Sequence, residues 1–175
     1  MSVHRDRPLP EGSNRGRLIV PVSVGLQTRI ALQGFCGPSS RHEGMVFWVG
    51  RRVEADTVVV SAVVPDCRHG PQYVQAPPSA VGMVAKATRN MGLGIVAQVH
   101  SHPGDDTRHS TGDDSMILMP FESMFSVVVA RYGDGGITQE SGVGLHQYQN
   151  RQWVSIPSSE KGALLLVPSI IGGLG

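Results

Sequence analysis

Apolar positions along the chain come in short runs whose spacing changes from element to element. Leu18 to Val22 is a continuous apolar run and predicts a short strand. Val22, Leu26 and Ile30 then recur every four residues, one face of a helix that should end before Gly37-Pro38. After the polar turn Ser39 to His42, the segment Glu43 to Gly50 carries Met45-Val46-Phe47-Trp48-Val49, a buried strand with Phe47 and Trp48 as core. Thr57 to Val64 reads as a second strand of this region, rich in valine and stopped by Pro65. Asp66 to Pro78 reads as a loop. Ser79 is placed to cap a helix running through Val81, Val84, Ala85 and Thr88 to about Met91. Ile95 to Val99 is a further strand and leads into His100-Ser101-His102-Pro103. A polar loop, Gly104 to His109, precedes a short helix from Ser110 to about Met119, ended by Pro120. Met124 to Ala130 predicts another strand, and Gly142 to Tyr148 with Gln152 to Ile156 a closing hairpin around Asn150-Arg151. Mixed strands and separated helices predict an α/β or α+β fold, a sheet covered by helices.

Composition narrows the class. The 175 residues suit one domain, 40% are hydrophobic and 17% charged, which excludes wholesale disorder. Residues 1–17 set Pro8, Pro10, Gly12 and Gly16 among charges and read as a flexible leader; 18–156 is the domain and 157–175 a tail. The tail's apolar patch, Ala163 to Val167, should pack on its own domain or on a partner chain. Fifteen Lys and Arg against fourteen Asp and Glu give a net charge of +1, unlike the basic stripe of a nucleic-acid binder. No apolar run reaches the roughly 18 residues that cross a bilayer, and the N-terminus lacks the apolar region of a signal peptide. Two cysteines without a CxxC exclude a disulfide framework. A soluble cytoplasmic protein, without nucleic-acid or membrane partners, is the expectation.

The seven histidines bring in chemistry. His100 and His102 are two apart at a strand end, so both point to one face and can grip one metal ion. Asp113 lies eleven residues beyond His102, where a loop can return a carboxylate to the pair. Two histidines and a carboxylate are a catalytic zinc arrangement, and the same donors suit iron or nickel. Asp114 competes with Asp113 as ligand on sequence grounds. Ser110-x-x-Asp113 also has the spacing of a helix capping box, which would fix Asp113 in place. His109 reads as a solvent-exposed loop residue and His42 as a structural or surface residue; His4, His69 and His146 carry no spacing signal. Gly133 to Gly136 reads as a turn, and the arginines, Arg51 and Arg52 among them, as solvated.

Together, His100-Ser101-His102-Pro103, the six residues Gly104 to His109, and Ser110-Thr111-Gly112-Asp113 resemble the JAMM motif of the JAB/MPN metalloproteases. The resemblance extends from about Leu18 to Ile156 and places Glu43, ahead of a glycine-containing buried strand, in the slot of the family's upstream glutamate. Glu43 is followed by Gly44-Met45-Val46 where many members have Cys-Gly, and Pro65 to Pro78 is short, with none of the long insertions that clamp a distal ubiquitin in some relatives. The resemblance implies a JAB/MPN-like, cytidine-deaminase-like fold: a mixed central β-sheet flanked by helices. It implies one Zn2+ per chain on His100, His102 and Asp113, Glu43 as general base, and Ser110 as oxyanion donor. Cys36 and Cys67 would have no nucleophilic role.

The implied activity is zinc-dependent hydrolysis of the bond after the C-terminal tail of a ubiquitin-like protein, by deconjugation or precursor processing. The compact form resembles prokaryotic members, which occur in conjugation or antiphage operons with E1-like and E2-like partners. Maturation of a sulfur-carrier protein in cysteine or metallophore biosynthesis is the alternative enzyme reading. A non-catalytic MPN-type interaction module is the alternative outside the enzymes; the intact motif argues against it.

Overall fold

The computed structural model describes residues 8–115 and 120–168. In chain order these are β1 (Leu18–Pro21), α1 (Val22–Gln33), β2 (Met45–Val53), β3 (Asp56–Val63), β4 (Arg68–Gly70), β5 (Tyr73–Gln75), α2 (Pro78–Arg89), β6 (Gly94–Ser101), β7 (Phe125–Val129), β8 (Gly144–Gln149), β9 (Gln152–Ile156) and β10 (Leu164–Val167). Eight strands form one sheet in the order β10-β1-β3-β2-β6-β7-β8-β9, and β4 pairs with β5. β10–β1, β1–β3 and β6–β7 are parallel; the other pairs are antiparallel. This is the mixed central sheet with flanking helices that a JAB/MPN-like fold requires.

The sheet is buried on both faces, which explains the unbroken apolar run of β2. Val46 and Trp48 join Leu18, Val20, Leu32 and Val99 in one core. Met45, Phe47 and Val49, alternating with them, join Val74, Val84, Met124 and Trp153 in a second. Trp48 buries its indole without losing its hydrogen bond: Nε1 donates to Thr28 Oγ1 at 2.8 Å, and Thr28 Oγ1 donates to the Val24 carbonyl.

Helix α1 has the expected span but not the expected orientation. Val22, Leu26 and Ile30 are 47%, 53% and 52% exposed, while Gly25, Thr28 and Leu32 face inward. The Thr28–Trp48 bond and the closeness of Gly25 to Leu166 set the buried face. Helix α2 begins at Pro78 without a side-chain cap, so Ser79 does not cap it. The predicted loop 66–78 contains the β4–β5 hairpin. Of the helix expected from Ser110 to Met119, the structure shows a 3-10 turn at Asp113–Ser115; residues 116–119 lie outside the described residues.

Segments on both sides of 18–156 are joined to the sheet. Residues 10–15, expected within a flexible leader, are tied down instead. Gly12 N–H donates to Ser155 O at 3.0 Å, Ser155 N–H to Pro10 O at 2.9 Å, and Arg15 N–H to Gln147 Oε1 at 2.9 Å. The patch Ala163 to Val167 packs on its own domain, with β10 running beside β1 from Leu18↔Leu164 to Pro21↔Val167. Unpaired backbone groups of edge strands draw such segments in. No helix among the described residues is long and apolar enough to cross a membrane.

Candidate metal centre

Antiparallel pairing of β2 with β6 assembles the site. Met45 lies opposite His100, so the residues just before β2 meet the end of β6. Ser101 fastens that junction twice. Its Oγ accepts the Gly44 N–H at 2.9 Å, and its own N–H donates to Gly44 O at 3.1 Å. Glu43, one residue further, donates its N–H to Gly70 O at 2.9 Å, which ties it to the β4–β5 hairpin. A glutamate far from the histidines in sequence is thereby held beside them.

His100, in the last pleat of β6, and His102, just beyond its end, bring their Nε2 atoms to 3.1 Å. Asp113 bridges them, Oδ1 lying 3.3 Å from His100 Nε2 and Oδ2 3.3 Å from His102 Nε2. The three ligand atoms all lie within 4.8 Å of one another, and the group includes Asp113, not Asp114. Ser110 and Asp113 cap each other: Ser110 N–H donates to Asp113 Oδ2 at 2.6 Å, and Asp113 N–H to Ser110 Oγ at 3.3 Å. His102 Nδ1 lies 2.8 Å from the Asp106 carbonyl, so Nδ1 carries the proton and Nε2 keeps its lone pair for a metal. The donor set of two imidazole nitrogens and a carboxylate fits a divalent transition metal.

The electrostatics of His100 and Asp113 agree with that use, whereas His102 is drawn towards its protonated form by the carboxylates around it. Burial pushes the Glu43 carboxyl up to about 7, with His102 opposing the shift and Asp113 adding to it. Burial holds His100 below the usual imidazole range, against the pull of Asp113, so it is neutral as a ligand must be. His102 is raised: burial lowers it, but the Asp113 carboxylate, the Asp106 carbonyl and Glu43 outweigh burial. Burial would raise Asp113, yet the His100 and His102 imidazoles hold it far below the ordinary carboxylate range. Tyr132 also belongs to this neighbourhood. Burial and then the Glu43 charge raise its phenol, its hydroxyl donates to Pro71 O at 3.0 Å, and the Arg41 guanidinium lies 4.9 Å from its ring centroid.

Several of these residues escaped the sequence reading. Ser101 sits inside the motif, but its partner Gly44 is visible only once β2 and β6 pair. His109, expected at the surface, is 3% exposed, and His146 is 2% exposed with ring centroids 4.5 Å apart. His42 is half-buried, its Nδ1 2.9 Å from His69 Nδ1. Tyr132 and Arg41 carried no spacing signal.

Replacing Ser101 by alanine removes the acceptor of a buried N–H. Ser101→Ala is expected to lower unfolding stability by about 1–3 kcal/mol in urea melts. A midpoint equal to wild type would mean that another acceptor serves Gly44.

Sheet, paired histidines and carboxylate together define a JAB-type domain with a three-residue metal centre. The model for the family described as prokaryotic homologs of the JAB domain matches residues 37–139, more than half of the chain. The chain belongs to that family. It is 33% identical over 95 residues to "Probable metalloprotease y4jG" of Sinorhizobium fredii (strain NBRC 101917 / NGR234), a match spanning 52% of this chain and 58% of that protein. The solution structure of protein DSY2949 from Desulfitobacterium hafniense superposes with a TM-score of 0.65 at 14% identity, covering 87% of this chain and 94% of that one, which shows a shared fold. AF2198, a JAB1/MPN domain protein from Archaeoglobus fulgidus, matches at TM-score 0.46 and 15% identity over 81% of this chain and 94% of that one, too loosely to carry an argument.

Proposed function

We propose that the protein is a zinc-dependent peptidase of the JAMM type that hydrolyses the bond after the C-terminal tail of a ubiquitin-like protein. The observation that carries this reading is the convergence of His100, His102 and Asp113 with a buried glutamate, Glu43, whose carboxyl is pushed up to about 7. When bound, zinc supplies the Lewis acidity that acidifies a water and polarises a carbonyl. His100, His102 and Asp113 would hold one ion per chain. Glu43 takes a proton from the attacking water and returns it to the leaving amine, work that suits a group titrating near neutrality. Ser110 Oγ accepts the Asp113 N–H, and the proposed role of its hydroxyl is to donate to the oxyanion. Water is the nucleophile, so neither Cys36 nor Cys67 takes part; burial and then Asp66 push the Cys67 thiol up to about 11, which makes it a poor nucleophile.

The proposed substrate class is compatible with this chemistry. A ubiquitin-like tail ending in two glycines has no side chains there and can lie extended, with backbone hydrogen bonds supplying affinity. The same bond is presented by a conjugate, by a precursor with a C-terminal extension, and by an immature sulfur carrier. E1-like and E2-like proteins encoded nearby, as in bacterial conjugation and antiphage operons, are the proposed partners.

The test mixes the zinc-loaded protein with neighbouring ubiquitin-like proteins fused to a C-terminal extension and follows intact mass. Cleavage after the terminal glycine is expected, and leucine in place of the penultimate glycine should block it. Equal turnover of the leucine-substituted tail would reject the diglycine assignment. Zinc-loaded protein that cleaves none of the fusions would reject the substrate class.

A further inference from the structure

His109 is a buried ionisable side chain that this mechanism leaves unused. Its ring lies against His146, at 4.5 Å between centroids, and Trp153, at 5.2 Å. An aromatic box of this kind would accept an apolar residue, and burying an imidazole there is costly unless its nitrogens are bonded. Both are. Nδ1 lies 3.1 Å from Asp114 Oδ1 and Nε2 lies 2.8 Å from Ser126 Oγ.

The bonds run on in one direction. A carboxylate only accepts, so His109 Nδ1–H donates to Asp114 and Nε2 accepts the Ser126 hydroxyl. Ser126 Oγ in turn accepts from Gln98 Nε2 at 3.0 Å, and the same nitrogen reaches the Asp113 carbonyl at 3.4 Å. Gln98 stands on β6 two residues before His100, and Ser126 stands on the neighbouring β7. Two rigid strands therefore hold the loop that delivers Asp113, at that residue's backbone and at its neighbours His109 and Asp114.

We infer that Gln98, Ser126 and His109 form a buried polar clamp that fixes the Asp113 segment in its ligating position, which makes His109 and Ser126 positioning residues of the metal centre. The inference rests on the proposed metal site and adds residues that never touch the ion. Without the clamp, Asp113 keeps its mutual cap with Ser110 but loses the anchor of that cap to the sheet. The centre should then bind metal more weakly and in altered geometry.

Co2+ titration tests this, with competition against a chelator for affinity, d–d absorption for geometry, and far-UV circular dichroism and melting of the metal-free protein for the fold. Wild type is expected to bind one Co2+ at the centre. His109→Leu and Ser126→Ala should bind about 10–100-fold more weakly, the usual cost of losing an outer partner of a metal site, with a displaced d–d band. His109→Gln, whose amide reaches towards Ser126, should recover part of the affinity. If His109→Leu fails to fold, Ser126→Ala decides, since it removes a single oxygen. Wild-type affinity and spectrum in Ser126→Ala, or in a folded His109→Leu, would overturn the clamp while leaving the metal site standing. A wild-type protein that binds no Co2+ would overturn the metal site and the clamp with it.

Discussion

Glu43→Gln is expected to lower turnover by roughly 10²–10⁴-fold, the usual worth of general acid–base catalysis, while metal content stays at the wild-type level. Glutamine keeps the size and the hydrogen-bonding reach of the side chain and removes the basic oxygen. Glu54→Gln is the matched control and should be nearly silent, because Glu54 is exposed in the tight turn between β2 and β3, with φ of 56°. Wild-type turnover in Glu43→Gln beside a dead Glu54→Gln would put the base on the wrong residue. Loss of metal from Glu43→Gln would make it a ligand.

The same carboxyl gives a pH signature. Its pKa in the folded protein, about 7, lies above the ordinary value of 4.5. A raised folded pKa contributes stability that is fully present below about 4.5 and is lost as pH rises through about 7. Metal-free Glu43→Gln should therefore melt above wild type at pH 8 and close to it at pH 4. The difference is bounded by about 3 kcal/mol, from 1.36 kcal/mol per pKa unit. Identical melting at pH 8 would mean that the carboxyl is better solvated than its burial implies. Turnover should rise with pH along a limb lying no higher than about 7, since a cation among the ligands draws the carboxyl down.

His102→Ala is expected to abolish stoichiometric metal binding and to leave no hydrolysis above background, with the metal-free fold retained. The His102 side chain is 14% exposed, so water can enter the space that its removal leaves. His100→Ala should lose metal as completely but melt at lower temperature, because His100 is fully buried and packed between strands. Elemental analysis of the purified variants beside wild type measures both. Close to one zinc per chain is expected in wild type, and stoichiometric metal in the double variant would sink the ligand assignment.

Local chemistry made much of this molecule legible in advance. The apolar run Met45 to Val49 marked a buried strand because both of its faces are covered. The hairpin at Asn150-Arg151 has both residues at positive φ, 51° and 66°, in a two-residue turn between β8 and β9. Two apart at a strand end, His100 and His102 meet through local geometry, and the Ser110–Asp113 spacing forms the reciprocal cap that its pattern announced. These features depend on residues within a few positions of one another.

The remainder depends on partners far apart in sequence. Periodicity marked α1 as a helix, yet its apolar stripe Val22, Leu26, Ile30 faces outward, because Thr28 turns inward to accept the Trp48 indole N–H and brings Gly25 and Leu32 in with it. Glu43 reaches the histidines only through the β2–β6 register and the Ser101–Gly44 bonds. His109 looked like a loop residue until Ser126 and the rings of His146 and Trp153 closed around it. Residues 10–15 looked loose because nothing within them demands order, yet the backbone of β9 binds them at Ser155; the apolar patch Ala163 to Val167 did announce packing, and the structure supplies its partner, β1. Sequence spacing carries the ligands and the elements, whereas the packing of distant segments decides which faces are buried and which carboxylate meets the metal centre.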